Sequence, residues 1–541
     1  MFNYTKKIIF SYKKKIYQIL FFLIFLLSGL STVKDYGISY DELEYRQQGF
    51  IVLNHLGEKF FPNKINKIKK ERSLVYPTFD EYLGEVKNNF KIHHTIFAAL
   101  EFALFKNTEK KNVFLMRHYI NFMMSVLMTI FFYKLVRLSF SREISLIGAT
   151  ILILNPKIFP DYVYNPNDIW FSFFLIVSIY CCAKYFKKGK LIYFLILPIL
   201  IGLAINVRII GIYVYFIFLI IFFYRCYKKD VKFINFLKKL PIQVLILLIS
   251  LYFFTPQIWS NGFLSLFDLF VGQLKYNPIN PEIMFLGEFI PASEVGWYYL
   301  PIWILISTPL IYILLFFFGT FFLTKVLVSE KYKEEHLSYY LLLGYFFLPL
   351  FSYFFFKPII FNGWRHFYFL YPALIYISLY GLNYLYKTSI NLNFRNLIIL
   401  IRIIIVVYFA FILFWSYKNH PYQNVYLNYF SKKYSDKFEK DYWGLTNLNA
   451  IKYILSKDKS NKIVIVGVKN SRIDFSMLML DQNEKDRITL KKIDEVDPKE
   501  VDYYISHFND KKDADYYINN GFKIIKALKI GDEEINIIFT N

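Results

Sequence analysis

Cysteine is nearly missing from this sequence, with 3 in 541 residues. Cys181 and Cys182 lie in an apolar run and Cys226 in a basic stretch, so the polar loops hold no disulfide material and cysteine metal clusters are excluded. Acid is scarce beside base, with 41 Asp and Glu against 64 Lys and Arg and a formal net charge of +23. The basic residues fall in short tracts between apolar segments and form no single amphipathic face, which argues against a nucleic-acid partner. No A-x-A-like site follows the first apolar run, which therefore reads as an uncleaved anchor. No internal repeat divides the chain, which counts against the paired halves common in transporters.

Apolar and aromatic residues are plentiful. Hydrophobic residues make up 56% of the chain and aromatics 21%, a balance that implies a polytopic membrane protein. Apolar runs predict eleven membrane helices, near 17–34, 113–137, 143–158, 168–186, 191–207, 208–224, 241–256, 299–325, 338–356, 365–386 and 396–416. With that number, the basic tracts "KKIIFSYKKK", "KLVRLSFSRE", "KYFKKGK", "RCYKKDVKFINFLKK", "KVLVSEKYKEEH" and "YKTSINLNFR" all fall on one side, which the positive-inside rule makes cytoplasmic. Loops 35–95 and 257–298, and everything after about Trp415, are then external. The expected fold class is mainly α: a membrane bundle over 1–417, followed by a small α/β extracytoplasmic domain over 418–541. In the latter, "NKIVIVGV" and "VDYYISHF" read as strands, and "FKIIKALKIGDEEINIIFTN" as a hairpin turning at "GDEE". "KIVIVGVKNS" lacks G-x-G-x-x-G, so this domain receives no dinucleotide chemistry.

The acidic stretch "DYGISYDELEYRQQG" follows the first helix directly. Ser39 and Glu42 have capping-box spacing, so Asp41 and Glu42 read either as the start of a surface helix or as catalytic acids, and the two roles are compatible. Asp168, in "NPNDIWF", reads equally as a first-turn acid after Asn-Pro or as an acid facing that pair. Arg208 stands between two apolar runs, where an arginine either snorkels to the interface or binds an anion. Arg365 and His366 open the tenth helix, where paired guanidinium donors suit a phosphate. Adjacent His93 and His94 point in different directions along a helix and seldom chelate one ion, although either could join Glu42 or Asp168 at a divalent metal. Loop 257–298, with Glu282, Glu288 and Glu294, reads as a lid or as a plain surface loop, and Trp297 and Tyr298 as interfacial anchors.

The "DE" at Asp41 and Glu42, "FKIHHTIFAALEF", "NPNDIWF", "GLAINVRIIG", "GWYYLPIWILISTPL", "FNGWRHFYFLYP", "HPYQNVYLNYF" and "DKFEKDYWGL" together resemble the GT-C superfamily of integral-membrane glycosyltransferases. The likeness is to family 39, which includes protein O-mannosyltransferases and bacterial aminoarabinose transferases. Residues 93–95 depart from it, reading His-His-Thr where the family often has His-Pro-Pro. The resemblance implies inverting transfer of a sugar from a polyprenyl-phosphate donor to an acceptor hydroxyl outside the cytoplasmic (inner) membrane. It implies Asp41, Glu42 and Asp168 as catalytic acids, Arg208, Arg365 and His366 as donor-phosphate ligands, and His93, His94 and Tyr371 as substrate-binding candidates. The partners implied are the bilayer, the lipid-linked donor and a protein, lipid or glycan acceptor, with no cofactor firmly implied. A lipid-linked sugar flippase or transporter is the rival reading, and a scaffold without catalysis a third.

Overall fold

The computed structural model describes residues 2–63, 95–105, 108–229, 232–267, 271, 281–329, 336–467, 473–492, 496–507, 515, 518–531 and 533–541. His93 and His94 lie outside the described residues.

Helical structure stands at each of the eleven predicted spans. The first half comprises α1 (Phe2–Thr32), α2 (Tyr40–Phe60), α3 (Thr95–Phe105), α4 (Lys110–Val136), α5 (Arg142–Ile153), α6 (Asp161–Tyr164), α7 (Pro166–Lys188), α8 (Leu191–Val207) and α9 (Tyr213–Tyr227). After α10 (Leu240–Phe254) come α11 (Tyr299–Ser307), α12 (Leu310–Ser329), α13 (Leu337–Phe356), α14 (Tyr371–Asn391) and α15 (Arg395–Lys418). Among the described residues, 8 helices are long and apolar enough to cross a membrane, with α8 a shorter apolar helix. This is a multi-pass membrane fold.

Local chemistry explains where the helices depart from the predicted spans. The run 299–325 divides into α11 and α12 because Pro309 has no N–H to continue the ladder and drives Thr308 into an extended conformation (φ −97°, ψ 136°). The span 365–386 starts as a 3₁₀ turn, Arg365–Leu370, before α14 takes over with Pro372 in its first turn. α5 is only 12 residues long and stops ahead of Asn155, whose side chain accepts from the Lys157 backbone at 3.0 Å.

Two helices meet through bare backbone. A Cβ built on Gly319 of α12 would lie 2.1 Å from the Ile377 carbonyl oxygen of α14, and one on Gly381 would lie 2.8 Å from the Gly319 nitrogen. Reciprocal glycines of this kind let membrane helices approach closely where no hydrophobic force separates helix from lipid.

Loop 257–298 contains a hairpin, β1 (Glu282–Phe285) and β2 (Glu288–Pro291), turning at Leu286 and Gly287, both with positive φ (57° and 93°). Beyond α15 comes the α/β domain. Helix α16 (Thr446–Lys457) leads into β3 (Ile463–Gly467), β4 (Ile488–Lys492), β5 (Tyr503–His507), β6 (Lys523–Ile530) and β7 (Glu533–Thr540). The sheet order is β4-β3-β5-β7-β6, with β3 parallel to β4 and β5 and the β6–β7 hairpin antiparallel to its neighbours. The domain core of Ile451, Ile454, Ile463, Ile505 and Ile538 also takes in Ile38, before α2, and Phe114, in α4. A Lys111–Asp481 ion pair at 2.7 Å joins the same two parts, so the domain sits on the bundle at the end where α2 and α4 begin.

Gly319→Val should force α12 and α14 apart at a cost of about 1–3 kcal/mol. A lowered thermal midpoint of the detergent-solubilised protein would register this, and an unchanged midpoint would mean the two backbones do not touch.

Candidate active site

Two helix starts supply the acids. At the head of α2 the Glu42 carboxylate turns back to accept from the Ser39 backbone N–H at 2.7 Å, completing the predicted capping box. Neighbouring helical residues point about 100° apart, so this cap directs Glu42 inward and Asp41 elsewhere. Glu42 is fully buried, with Oε1 3.0 Å from His118 Nε2, while Arg117 donates to the Glu42 carbonyl oxygen. Asp41 faces Arg365, its Oδ2 3.0 Å from Arg365 Nη1 and 3.4 Å from the Tyr45 hydroxyl.

At the head of α7, Asn165 is the N-cap and accepts from the Asp168 backbone N–H at 3.2 Å, with Pro166 in the first turn where its missing N–H costs nothing. The Asn165 amide donates to Asp168 Oδ2 and to Asp161 Oδ1, both at 2.7 Å. Asp168 Oδ1 accepts from the Arg208 guanidinium, carried where α8 ends in an extended residue. Asp168 Oδ2 is 3.8 Å from Arg365 Nη1. Residues from four separate places in the chain, Asp41, Asp168, Arg208 and Arg365, therefore form one group of alternating charge.

Arg365 is only 5% exposed, and its charge lies under aromatic rings: Trp443 at 4.5 Å from Cζ to ring centroid, Phe361 at 5.3 Å and Tyr442 at 6.0 Å. Neither Arg365 Nε nor Arg208 Nε has a hydrogen-bond partner among the described residues, so both guanidiniums keep a donor in reserve. His366 is half-buried beside the Phe361 ring, centroids 5.1 Å apart. Tyr371 is not brought to this group: its hydroxyl donates to the Ile151 carbonyl at 3.1 Å in the bundle core. Among the described residues no group of three or more His, Cys, Asp or Glu is placed to hold a metal ion.

Sequence reasoning passed over several participants. Tyr45, one turn after Asp41, donates to it and accepts from the Asn167 amide, so α2 and α7 are hydrogen-bonded beside the acids. The i, i+4 spacing of Asp41 and Tyr45 was a usable signal. Asp161 offered less: it is 3% exposed, and burial is the main cause raising its pKa from 3.8 to about 7, with nearby Asp168 adding and the Asn165 hydrogen bond opposing. Beside Tyr45, between α2, α3, α4 and α7, lies a cavity of about 170 Å³ with apolar walls from Phe97, Leu100 and Trp170. Its polar rim is the Arg117–Glu101 pair, joined by two hydrogen bonds of 2.7 and 2.6 Å.

The family model for dolichyl-phosphate-mannose-protein mannosyltransferase matches residues 93–259, a region that contains Asp161, Asp168 and Arg208. The match bears out the resemblance to GT-C membrane glycosyltransferases read from the sequence. Comparison with the curated proteins finds no match. Among solved structures, ArnT from Cupriavidus metallidurans in the apo state aligns with TM-score 0.49 at 8% identity, covering 97% of this chain and 98% of that one. The same protein bound to undecaprenyl phosphate aligns at 0.47 and 10% identity, over 97% of both chains. The archaeal oligosaccharyltransferase AglB from Archaeoglobus fulgidus, in complex with an inhibitory peptide and a dolichol-phosphate, aligns at 0.45 and 11% identity, covering 91% of this chain and 70% of that one.

Because Asp161 holds its proton more tightly folded than unfolded, its contribution to stability is complete below pH 3.8 and falls away as pH rises to about 7. Asp161→Asn, which mimics the protonated acid, should flatten that fall, so the variant gains in thermal midpoint over wild type between pH 4 and 7. Parallel midpoint curves for the two proteins would show that folding leaves the Asp161 pKa near its ordinary value.

Proposed function

We propose that the protein is an inverting glycosyltransferase that moves a sugar from a polyprenyl-phosphate donor to an acceptor hydroxyl on the external face of the cytoplasmic membrane. The observation that carries this reading is the Asp41–Arg365–Asp168–Arg208 group at one end of the bundle, with both arginines holding an Nε–H that has no partner among the described residues. The family match over 93–259 supports the donor class, since its named reaction uses a sugar on a polyprenyl-type phosphate.

The chemistry asks for a base, an anion site and an apolar path. The acceptor oxygen attacks the anomeric carbon from the face opposite the phosphate, the carbon–oxygen bond to phosphate breaks, and the lipid phosphate leaves with the electron pair. Asp41 takes the hydroxyl proton. A carboxylate suffices because the transition state is oxocarbenium-like and the hydroxyl turns acidic late. Arg365 and Arg208 stabilise the departing phosphate, where preorganised donors in a dry site act most strongly. Asp168 bridges the two guanidiniums, and Glu42, locked between Ser39 and His118, fixes the helix turn that aims Asp41. The apolar cavity beside Tyr45 suits the first isoprene units of the donor. On this reading 1–417 is the membrane transferase unit, and 418–541 lies outside the cell membrane, where it meets the acceptor.

The test is sugar transfer or hydrolysis by the purified protein in lipid, with a panel of labelled polyprenyl-phosphate sugars. Asp41→Asn should cut turnover by about a hundredfold or more while the donor still binds. Arg365→Ala should weaken donor binding as well. Equal turnover in wild type and Asp41→Asn would remove Asp41 as the base, and passage of an unaltered donor across the bilayer in both would favour a flippase.

A further inference from the structure

Between the last membrane helix and the C-terminal sheet, the stretch 437–446 is fastened at several points. The Lys437 carbonyl accepts from the Gly287 N–H and the Glu439 N–H donates to the Met284 carbonyl, both at 3.0 Å, so Phe438 pairs with Phe285 in a single antiparallel bridge to the β1–β2 hairpin. Lys440 pairs with Glu533 of β7 at 2.8 Å. Asp441 accepts from the Leu445 and Thr446 N–H groups at 3.2 and 2.9 Å and from the Thr446 hydroxyl at 2.7 Å, which fixes the start of α16. Gly444, at φ +66°, closes the turn. Held in this way, Trp443 lies 4% exposed with the Arg365 guanidinium at its ring and with Tyr164 in an edge contact, centroids 6.2 Å apart.

Arg365 needs this cover. Among the described residues its two carboxylate partners, Asp41 and Asp168, both engage Nη1, at one corner of a planar fork, and Nε is without a partner, so ion pairing alone does not fix the tilt of the plane. A ring face over a buried guanidinium fixes the plane as well as favouring the charge. We propose that Trp443 is a positioning residue for Arg365, through which the C-terminal domain and the β1–β2 hairpin hold the phosphate-binding fork in register. This rests on the reading above that Arg365 meets the donor phosphate. The domain is then part of the donor site and not only a platform for the acceptor.

The experiment compares binding of a labelled polyprenyl phosphate with that of the sugar-free, phosphate-free polyprenol to the full-length protein in lipid nanodiscs. The readout is the preference for the phosphate, which a purely structural role would not move. Trp443→Leu fills space without a π face and should lose about tenfold of that preference, whereas Trp443→Phe should stay within about threefold of wild type. Arg365→Ala, which leaves only Arg208 to meet the phosphate, should lose more of it than Trp443→Leu. If Phe and Leu behave alike while Arg365→Ala loses the preference, the role of Trp443 is overturned and the phosphate reading stands. If Arg365→Ala keeps the wild-type preference, the phosphate reading fails and this inference with it. Should the Leu variant not fold, Trp443→Met, also lacking a π face, takes its place with the same outcomes.

Discussion

An arginine taken almost wholly out of water loses several kcal/mol of hydration, and a buried charge persists only with good partners. Around Arg365 the compensation arrives from three distant parts of the chain: Asp41 from the start of α2, Asp168 from the start of α7, and the Trp443 ring from the approach to the C-terminal domain. Each of these is itself fixed by a local device, a capping box, an Asn-Pro N-cap and an Asp441-anchored turn. This end of the bundle is therefore held together by helix termini whose local chemistry is specified, and the apolar helices run on behind them.

The two helix starts also hold each other. The Ser39 hydroxyl donates to the Tyr164 carbonyl at 3.0 Å, one residue before the Asn165 cap, and Tyr45 is bonded to both Asp41 and Asn167. Two carboxylates set by joined caps keep a constant separation, which a base and a neighbouring anion site require. The same capping bonds that stabilise the helices thus fix the directions of the acids, so the helix-start reading of "SYDELEYRQQG" is compatible with the proposed catalytic one.

Much of the architecture was legible because membrane helices are specified by long apolar runs and strand hairpins by alternation and turn residues. The break at Pro309 was also written in the sequence, though hydropathy alone passes over it. Strand β4, "ITLKK", escaped notice because it is short, half-exposed and carries two lysines, so only its pairing with β3 makes it a strand. The β1–β2 hairpin escaped because its turn residues, Leu286 and Gly287, lack the usual Asn-Gly signature. Tyr371 shared a motif with Arg365 and His366, yet six residues of 3₁₀ and helical path carry its hydroxyl away into the core.

The sequence by itself determined the membrane class, the order of the helices, the caps at Ser39 and Asn165 and the presence of acids and arginines at helix ends, since these depend on composition and on neighbours within a turn or two. Only the tertiary structure decided that Asp41 faces Arg365 while Glu42 faces His118, that Arg208 pairs with Asp168, and that Trp443 covers the guanidinium. Those pairings join positions scores of residues apart, and such contacts follow from how whole helices pack, which no local pattern encodes.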